Sequence, residues 1–160
     1  MAKTIVSFFS IILAALLAGT MFGIWMGYDP IDLSSSSYIE QQQNMIRHLN
    51  VLMPLLGLAT LIVTVMAAFL QKESKVIFIS LLIASLFLII SGLITRFGNQ
   101  PINDIVITWS KESPPSNWIQ LRDKWWSLHI IRTGMALSAL CIIIGASIRK
   151  YKKLLPLTTP

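Results

Sequence analysis

Charge is what this sequence has least of: Asp, Glu, Lys and Arg make up 12% of its 160 residues, about half the share of an ordinary soluble domain. So few polar groups cannot cover a water-facing surface when mean hydropathy is +0.69, and the solvent expected is lipid. Cysteine is nearly absent. The single Cys141 excludes an intramolecular disulfide or a thiolate cluster, and its place in an apolar run reads as packing. With only His48 and His129, a metal site needs Glu40, Asp104, Asp123 or another donor, and none stands at the tight spacing such sites use. Acidic residues number 7 against 13 basic ones, but the excess forms no basic patch interleaved with aromatics, which argues against nucleic acid.

Long apolar runs are what the sequence does have. Ile5 to Tyr28, Leu49 to Leu70, Val76 to Thr95 and Leu128 to Ile148 each approach the ~20 residues that cross a bilayer as a helix. The expected fold is an all-α membrane protein, a four-transmembrane-helix antiparallel bundle in a single domain, 1–160. Its helices are expected at about 4–28, 45–70, 75–97 and 117–150, with a long outer loop at 98–116. The first run is too long for a signal peptide's apolar region and shows no small-x-small cleavage site, so it reads as an uncleaved span. Lys3, Lys72, Lys75, Arg149, Lys150, Lys152 and Lys153 fall on one face, Arg47, Arg96, Lys111, Arg122 and Lys124 on the other. The denser first set places both termini in the cytoplasm. Asp29-Pro30 ends the first helix, Pro54 should kink the second, and Pro114-Pro115 close the outer loop, with Ser116 as N-cap of the last helix.

Arg122, Trp125, His129, Arg132 and Ala136 recur at three- and four-residue spacing and share one helix face. Arg132 is about three turns beyond Arg122 and well inside the apolar run, where a charge faces the bundle interior or a wet cavity unless it snorkels or pairs with Asp104 or Asp123. His129, one turn away, is the candidate base or ligand. Arg47 and His48 stand at the outer end of the second helix, at a depth approaching His129. Trp25, Tyr28, Trp109, Trp118, Trp125 and Trp126 form an expected interfacial belt, of which Trp125 shares the polar face and could stack on a flat substrate. Gly19, Gly23, Gly27, Gly57 and Gly92 read as close helix contacts, and Met21 and Met26 as packing.

Two stretches carry a family resemblance. Asn99-Gln-Pro101-Ile-Asn103 and Trp118-x-x-Leu121-Arg122-x-Lys124-Trp125-x-x-Leu128-His129-x-x-Arg132 resemble the Asn-x-Pro-x-Asn and Trp-x-x-Leu-Arg-x-Arg-Trp-x-x-Leu-His-x-x-Arg motifs of the anthrone oxygenases and their DUF1772-domain relatives. Those are small four-helix membrane proteins. Lys124 departs from the family's usual arginine, keeping the charge but not the bidentate fork. The resemblance implies oxidation of an anthrone-like activated methylene by dioxygen without flavin, haem or metal. It implies His129 as base and Arg132 and Asn103 as oxyanion stabilisers. Trp125 would hold the ring plane and Arg122 guard the entrance. Asn99, Trp118, His48 and Arg47 complete the expected substrate-binding set. The competing readings are a quinone-binding protein, a haem protein ligated by His48 and His129, and an accessory membrane subunit. Transport is disfavoured by the lack of paired repeats. Expected partners are the lipid bilayer and a hydrophobic aromatic molecule or quinone, with a homo-oligomer compatible. The expected location is a cell membrane crossed several times, in the bacterial inner membrane, which the short tail, the lack of eukaryotic targeting signals and the bacterial bulk of the family favour.

Overall fold

The computed structural model describes residues 1–154; the side chains of Lys150, Lys152 and Lys153, counted above toward topology, lie outside the described residues. All the regular structure of the described residues is helical: α1 (Ala2–Gly27), α2 (Ser35–Leu49), α3 (Leu52–Leu70), α4 (Lys75–Ile94), α5 (Gln100–Val106) and α6 (Trp118–Leu154). A single π turn, Thr95–Asn99, joins α4 to α5. Four segments are long and apolar enough to cross a bilayer: Ala2–Gly27, Leu52–Leu70, Lys75–Val106 and Trp118–Arg149. The chain is thus a multi-pass membrane bundle. Each neighbour runs antiparallel, with α1 against α3 and α6, and α4 against α3 and α6. At the end that carries the N-terminus, Lys3 Nζ meets Glu73 at 2.8 Å and Gln71 Nε2 donates to Ser7 Oγ at 3.4 Å. Lys3 holds the Glu73 carboxyl below the usual carboxylate range, first by the hydrogen bond and then by its charge.

Helices in lipid gain nothing from hiding apolar surface, because the tails are as apolar as leucine, so association depends on close fit. Accordingly the core is built from small residues. Ala14, Ala18, Ala68, Ala84 and Ala139 are fully buried or nearly so, and Ser10 Oγ and Thr64 Oγ1 share a hydrogen bond of 3.0 Å between α1 and α3. Phe8, Phe9, Phe69 and Leu86 point outward instead. Cys141 is exposed on α6, so its expected packing role is corrected to one on the lipid-facing side. The glycines also differ from expectation. A Cβ added at Gly19, Gly23, Gly27 or Gly92 would meet nothing within 4 Å, and at Gly57 only Leu17 Cδ1 at 4.0 Å, so none of them marks a close helix contact.

Two expected elements are subdivided. The span 45–70 is broken between α2 and α3. Pro54 causes the break four residues upstream of itself: its ring cannot donate to Asn50 and crowds that carbonyl, which Gln100 Nε2 approaches at 3.5 Å instead. Freed from α3, helix α2 runs back to Ser34, whose hydroxyl accepts from the Ser37 amide, and packs on α5. The outer loop 98–116 is helical in its first half. Pro101 would clash with the Phe97 carbonyl in a regular helix, and the extra residue of the π turn relieves the clash and lets the helix continue to Val106. Gln43 Nε2 then caps α5 by donating to the carbonyls of Val106 and Trp109 at 3.0 and 2.9 Å.

Candidate functional site

His129 is completely buried on α6. Its Nδ1 lies 3.0 Å from Arg132 Nη2 and 3.3 Å from Arg132 Nε, and its Nε2 lies 3.1 Å from the Met21 carbonyl of α1. Since a guanidinium only donates and a carbonyl only accepts, the tautomer is settled: Nε2 carries the hydrogen and Nδ1 the lone pair. Trp125 and Trp126 stack on the imidazole within 9° of parallel, with centroids at 5.1 and 5.6 Å. Arg132 Nη1 donates to Thr95 Oγ1 at 3.0 Å, and its guanidinium carbon stands 5.9 Å from the Trp125 ring centre. Ser91 Oγ donates to the Arg132 carbonyl at 3.0 Å, fixing α4 against α6 at this level. Among the described residues Arg132 pairs with no carboxylate: Asp123 is taken by Arg122, and Asp104 is exposed. The half-buried arginine therefore faces inward without a counter-ion among the described residues.

A second network meets this pair. The indole N–H of Trp125 can only donate, so the Asn103 atom 2.8 Å away is the carbonyl oxygen Oδ1. From that assignment the rest follows: Gln42 Nε2 donates to the same oxygen at 3.3 Å, Tyr28 donates to Gln42 Oε1 at 3.2 Å, and Asn103 Nδ2 donates to Asn50 Oδ1 at 2.9 Å. Asn99, one turn before Asn103, donates to the Trp125 carbonyl at 2.9 Å. The two asparagines of the Asn-x-Pro-x-Asn stretch thus grip Trp125 by its backbone and its ring. Gly98 makes this approach feasible, because a Cβ there would lie 2.8 Å from Leu128 Cδ1.

A substitution at that point should separate a tight contact from a merely permissive one. Gly98→Ala asks only a leucine methyl to move, whereas Gly98→Leu overfills the seam between the π turn and α6 and should cost about 1–3 kcal/mol. Thermal unfolding in detergent is the measure, with Leu128→Ala expected to restore the loss. A Gly98→Leu protein as stable as the parent would remove the steric argument.

Of the expected site residues, His129, Arg132, Asn103 and Trp125 come together. The others do not join them. Asn99 is buried behind Trp125 and serves as its support. Trp118 packs on Tyr38 with ring centres 5.9 Å apart and lies under the Arg122 guanidinium at 5.0 Å. Arg122 bonds Asp123 and the Ile31 carbonyl at 2.8 and 3.1 Å, which clamps the α1–α2 connection. Arg47 and His48 are exposed, because Gln42, Ile46 and Leu49 take the inward face of α2 and a residue one or two positions on from Ile46 is turned away. A haem held by His48 and His129 does not fit: one imidazole faces outward and the other has both nitrogens committed within the protein. No three of His, Cys, Asp and Glu converge among the described residues. Gln42, Asn50, Tyr28 and Thr95 are the participants that sequence reasoning missed.

Tyr28 and Tyr38 wall this end of the bundle, and burial raises both phenols well above their ordinary value of 10.0. A raised value favours the protonated folded state, so its contribution is complete below pH 10 and disappears as the pH climbs toward the folded values. The unfolding temperature should accordingly hold steady up to about pH 10 and drop beyond it, less steeply in Tyr38→Phe. A midpoint that stays level at higher pH in the parent would contradict the assignment.

Two hollows touch Arg132. One, about 40 Å³, is walled mostly by apolar residues such as Met21, Ile46 and Met53, with the polar groups of Gln42, Asn50, Thr95 and Asn103 among them. The other, about 290 Å³, is lined mainly by apolar residues of α3 and α4. Compared with known proteins, the chain matches the family model described as anthrone oxygenase over residues 43–142. Neither the curated proteins nor the solved structures yielded a match. The family match covers more than half of the chain, including the whole of the His129, Arg132 and Asn103 constellation, and the protein belongs to the anthrone oxygenase family.

Proposed function

We propose that this is a membrane-embedded oxygenase acting with dioxygen on a hydrophobic aromatic substrate of the anthrone or hydroquinone type, with no cofactor, in a bacterial inner membrane with both termini cytoplasmic. One observation carries the reading: an arginine without a carboxylate partner, locked to a neutral histidine, stands where a larger apolar hollow meets a smaller one into which Gln42, Asn50 and Asn103 bring a few polar groups. Such a site suits a molecule that is apolar over most of its surface and develops negative charge on one oxygen.

In the reaction, a ring methylene next to a ketone loses a proton, the charge moves to the ketone oxygen as an enolate, and the carbon is oxidised by dioxygen. Overall CH₂ and O₂ become C=O and H₂O. Arg132 supplies the positive N–H groups that meet the enolate oxygen, and Asn103 supplies the amide hydrogen that Asn50 does not take. His129 removes the proton. Its Nδ1 lone pair is held by Arg132 in the resting geometry, so transfer requires the guanidinium to shift its N–H from Nδ1 to the substrate oxygen. The base is thereby released only when a substrate is there to be ionised.

The test is oxygen uptake by the protein in liposomes supplied with an anthrone, set against quinone formed. One dioxygen consumed per quinone, at a rate proportional to protein, supports the reading. Uptake no faster than in empty liposomes rejects it.

A further inference from the structure

Near the site, α3 and α4 part enough to leave the larger hollow between them. Leu58 and Leu61 line it from α3, Leu88, Gly92 and Leu93 from α4, and its charged groups are the half-buried Arg132 and the exposed Arg96, which donates to Gln100 at 3.4 Å. Leu58 and Leu93 are 54% and 51% exposed, so this groove opens sideways between two membrane-spanning helices. Gly92 keeps it wide: a Cβ there would enter empty space, with no atom within 4 Å.

Size separates the two hollows. A cavity of about 150 Å³ takes a benzene ring, so 290 Å³ suits a fused system larger than one ring, whereas 40 Å³ holds a water or a molecule of similar size. Donor count gives the groove its chemistry. A guanidinium has five N–H groups; two go to His129 Nδ1 and one to Thr95, which leaves two for a ligand. An apolar groove that ends on two uncommitted, positively charged donors complements a planar apolar body with one phenolate or ketone oxygen at its tip.

We infer that the substrate comes sideways out of the lipid between α3 and α4, and that its fused rings lie in this groove beside Gly92. Its oxygen rests on Arg132 where the two hollows meet, within reach of the free Asn103 amide hydrogen, and the rest of the smaller pocket receives only dioxygen or water. This rests on the oxygenase reading for the identity of the substrate, but the binding claim can be tested without turnover. It also shifts the ring body away from Trp125, which does not line the groove, and makes Gly92 the residue that sets how large a ring system is accepted.

The experiment uses the full chain in phosphatidylcholine vesicles with 1,8-dihydroxyanthraquinone, a stable molecule of the product class, and reads quenching of tryptophan fluorescence. Gly92→Ala, Gly92→Leu and Arg132→Gln are compared with Gly19→Leu, which also places its side chain in open space but away from the groove. The expected pattern is a graded loss of affinity at position 92, at least tenfold for leucine, a comparable loss for Arg132→Gln, and none for Gly19→Leu. The small Gly92→Ala step keeps the test valid if the leucine protein does not fold. Equal affinity in the parent and both Gly92 variants overturns the groove assignment, as does equal loss in Gly19→Leu. Undiminished oxygen uptake by Gly92→Leu also overturns it while leaving the oxygenase reading intact. The expected binding pattern with no uptake by any protein supports the groove and rejects the oxygenase.

Discussion

Arg132→Gln is expected to lower kcat/KM for anthrone-dependent oxygen uptake by roughly 10²- to 10³-fold, the usual cost of removing a preorganised donor from a developing oxyanion. Glutamine keeps a hydrogen-bonding group in the same region but has no charge, and it cannot bond His129, Thr95 and a substrate oxygen together. Arg132→Lys should lose most of the activity too. Its ammonium restores the charge but has three donors on a single nitrogen and lacks the planar fork that spans His129 Nδ1 and Thr95 Oγ1. Steady-state oxygen uptake in liposomes, with expression and helicity checked, decides the matter. A glutamine variant within tenfold of the parent would mean that the oxyanion, if one forms, is stabilised elsewhere.

The membrane fold was legible because the four apolar runs are long and the lipid constraint on them is severe. What escaped was where each run is interrupted. Pro54 announces a kink, but its effect falls on Asn50 and divides one expected helix into two. Pro101 sits in what looks like a loop and instead follows a π turn that carries α4 onward as α5. A proline tells that a backbone bond is missing; whether the helix ends or adjusts depends on who receives the freed carbonyl, and Gln100 is forty-six residues away in sequence from Pro54.

The site was legible where periodicity governs it. Trp125, His129 and Arg132 share a face because a helix repeats every 3.6 residues, and the structure brings them together as that spacing requires. Arg122 has the same periodicity and a different role, because one helix face extends past the bundle: about three turns out from Arg132 it meets the α1–α2 connection. Gln42 on the mostly polar α2 and Asn50 just past its end carry no signal of their own, and only the fold of α2 against α5 selects them. The Met21 carbonyl is further still from prediction, since any helical residue has one. Glycines misled in the opposite direction: the small-residue pattern expected of tight seams mostly faces open space, and the tight approach is at Gly98, which stands in no such pattern.

His129→Gln is the substitution that distinguishes a base from a prop. The glutamine amide offers one acceptor and one donor, as the neutral imidazole does, so it can receive Arg132 and donate toward Met21 in much the same sense. A residue that only positions Arg132 would be replaceable in this way. A proton acceptor, the role proposed for His129, would not be, and the variant should keep its unfolding temperature and its affinity for the anthraquinone probe while turnover falls ~10²- to 10⁴-fold. His129→Ala should lose all three, because it strands the guanidinium and the Met21 carbonyl in a buried site and costs about 1–3 kcal/mol for each polar group left without its partner. A His129→Gln enzyme with nearly full turnover would remove the histidine from the chemistry and assign it to holding the arginine, and the proton would then have to leave by another path, through the water-sized pocket lined by Asn103 and Gln42.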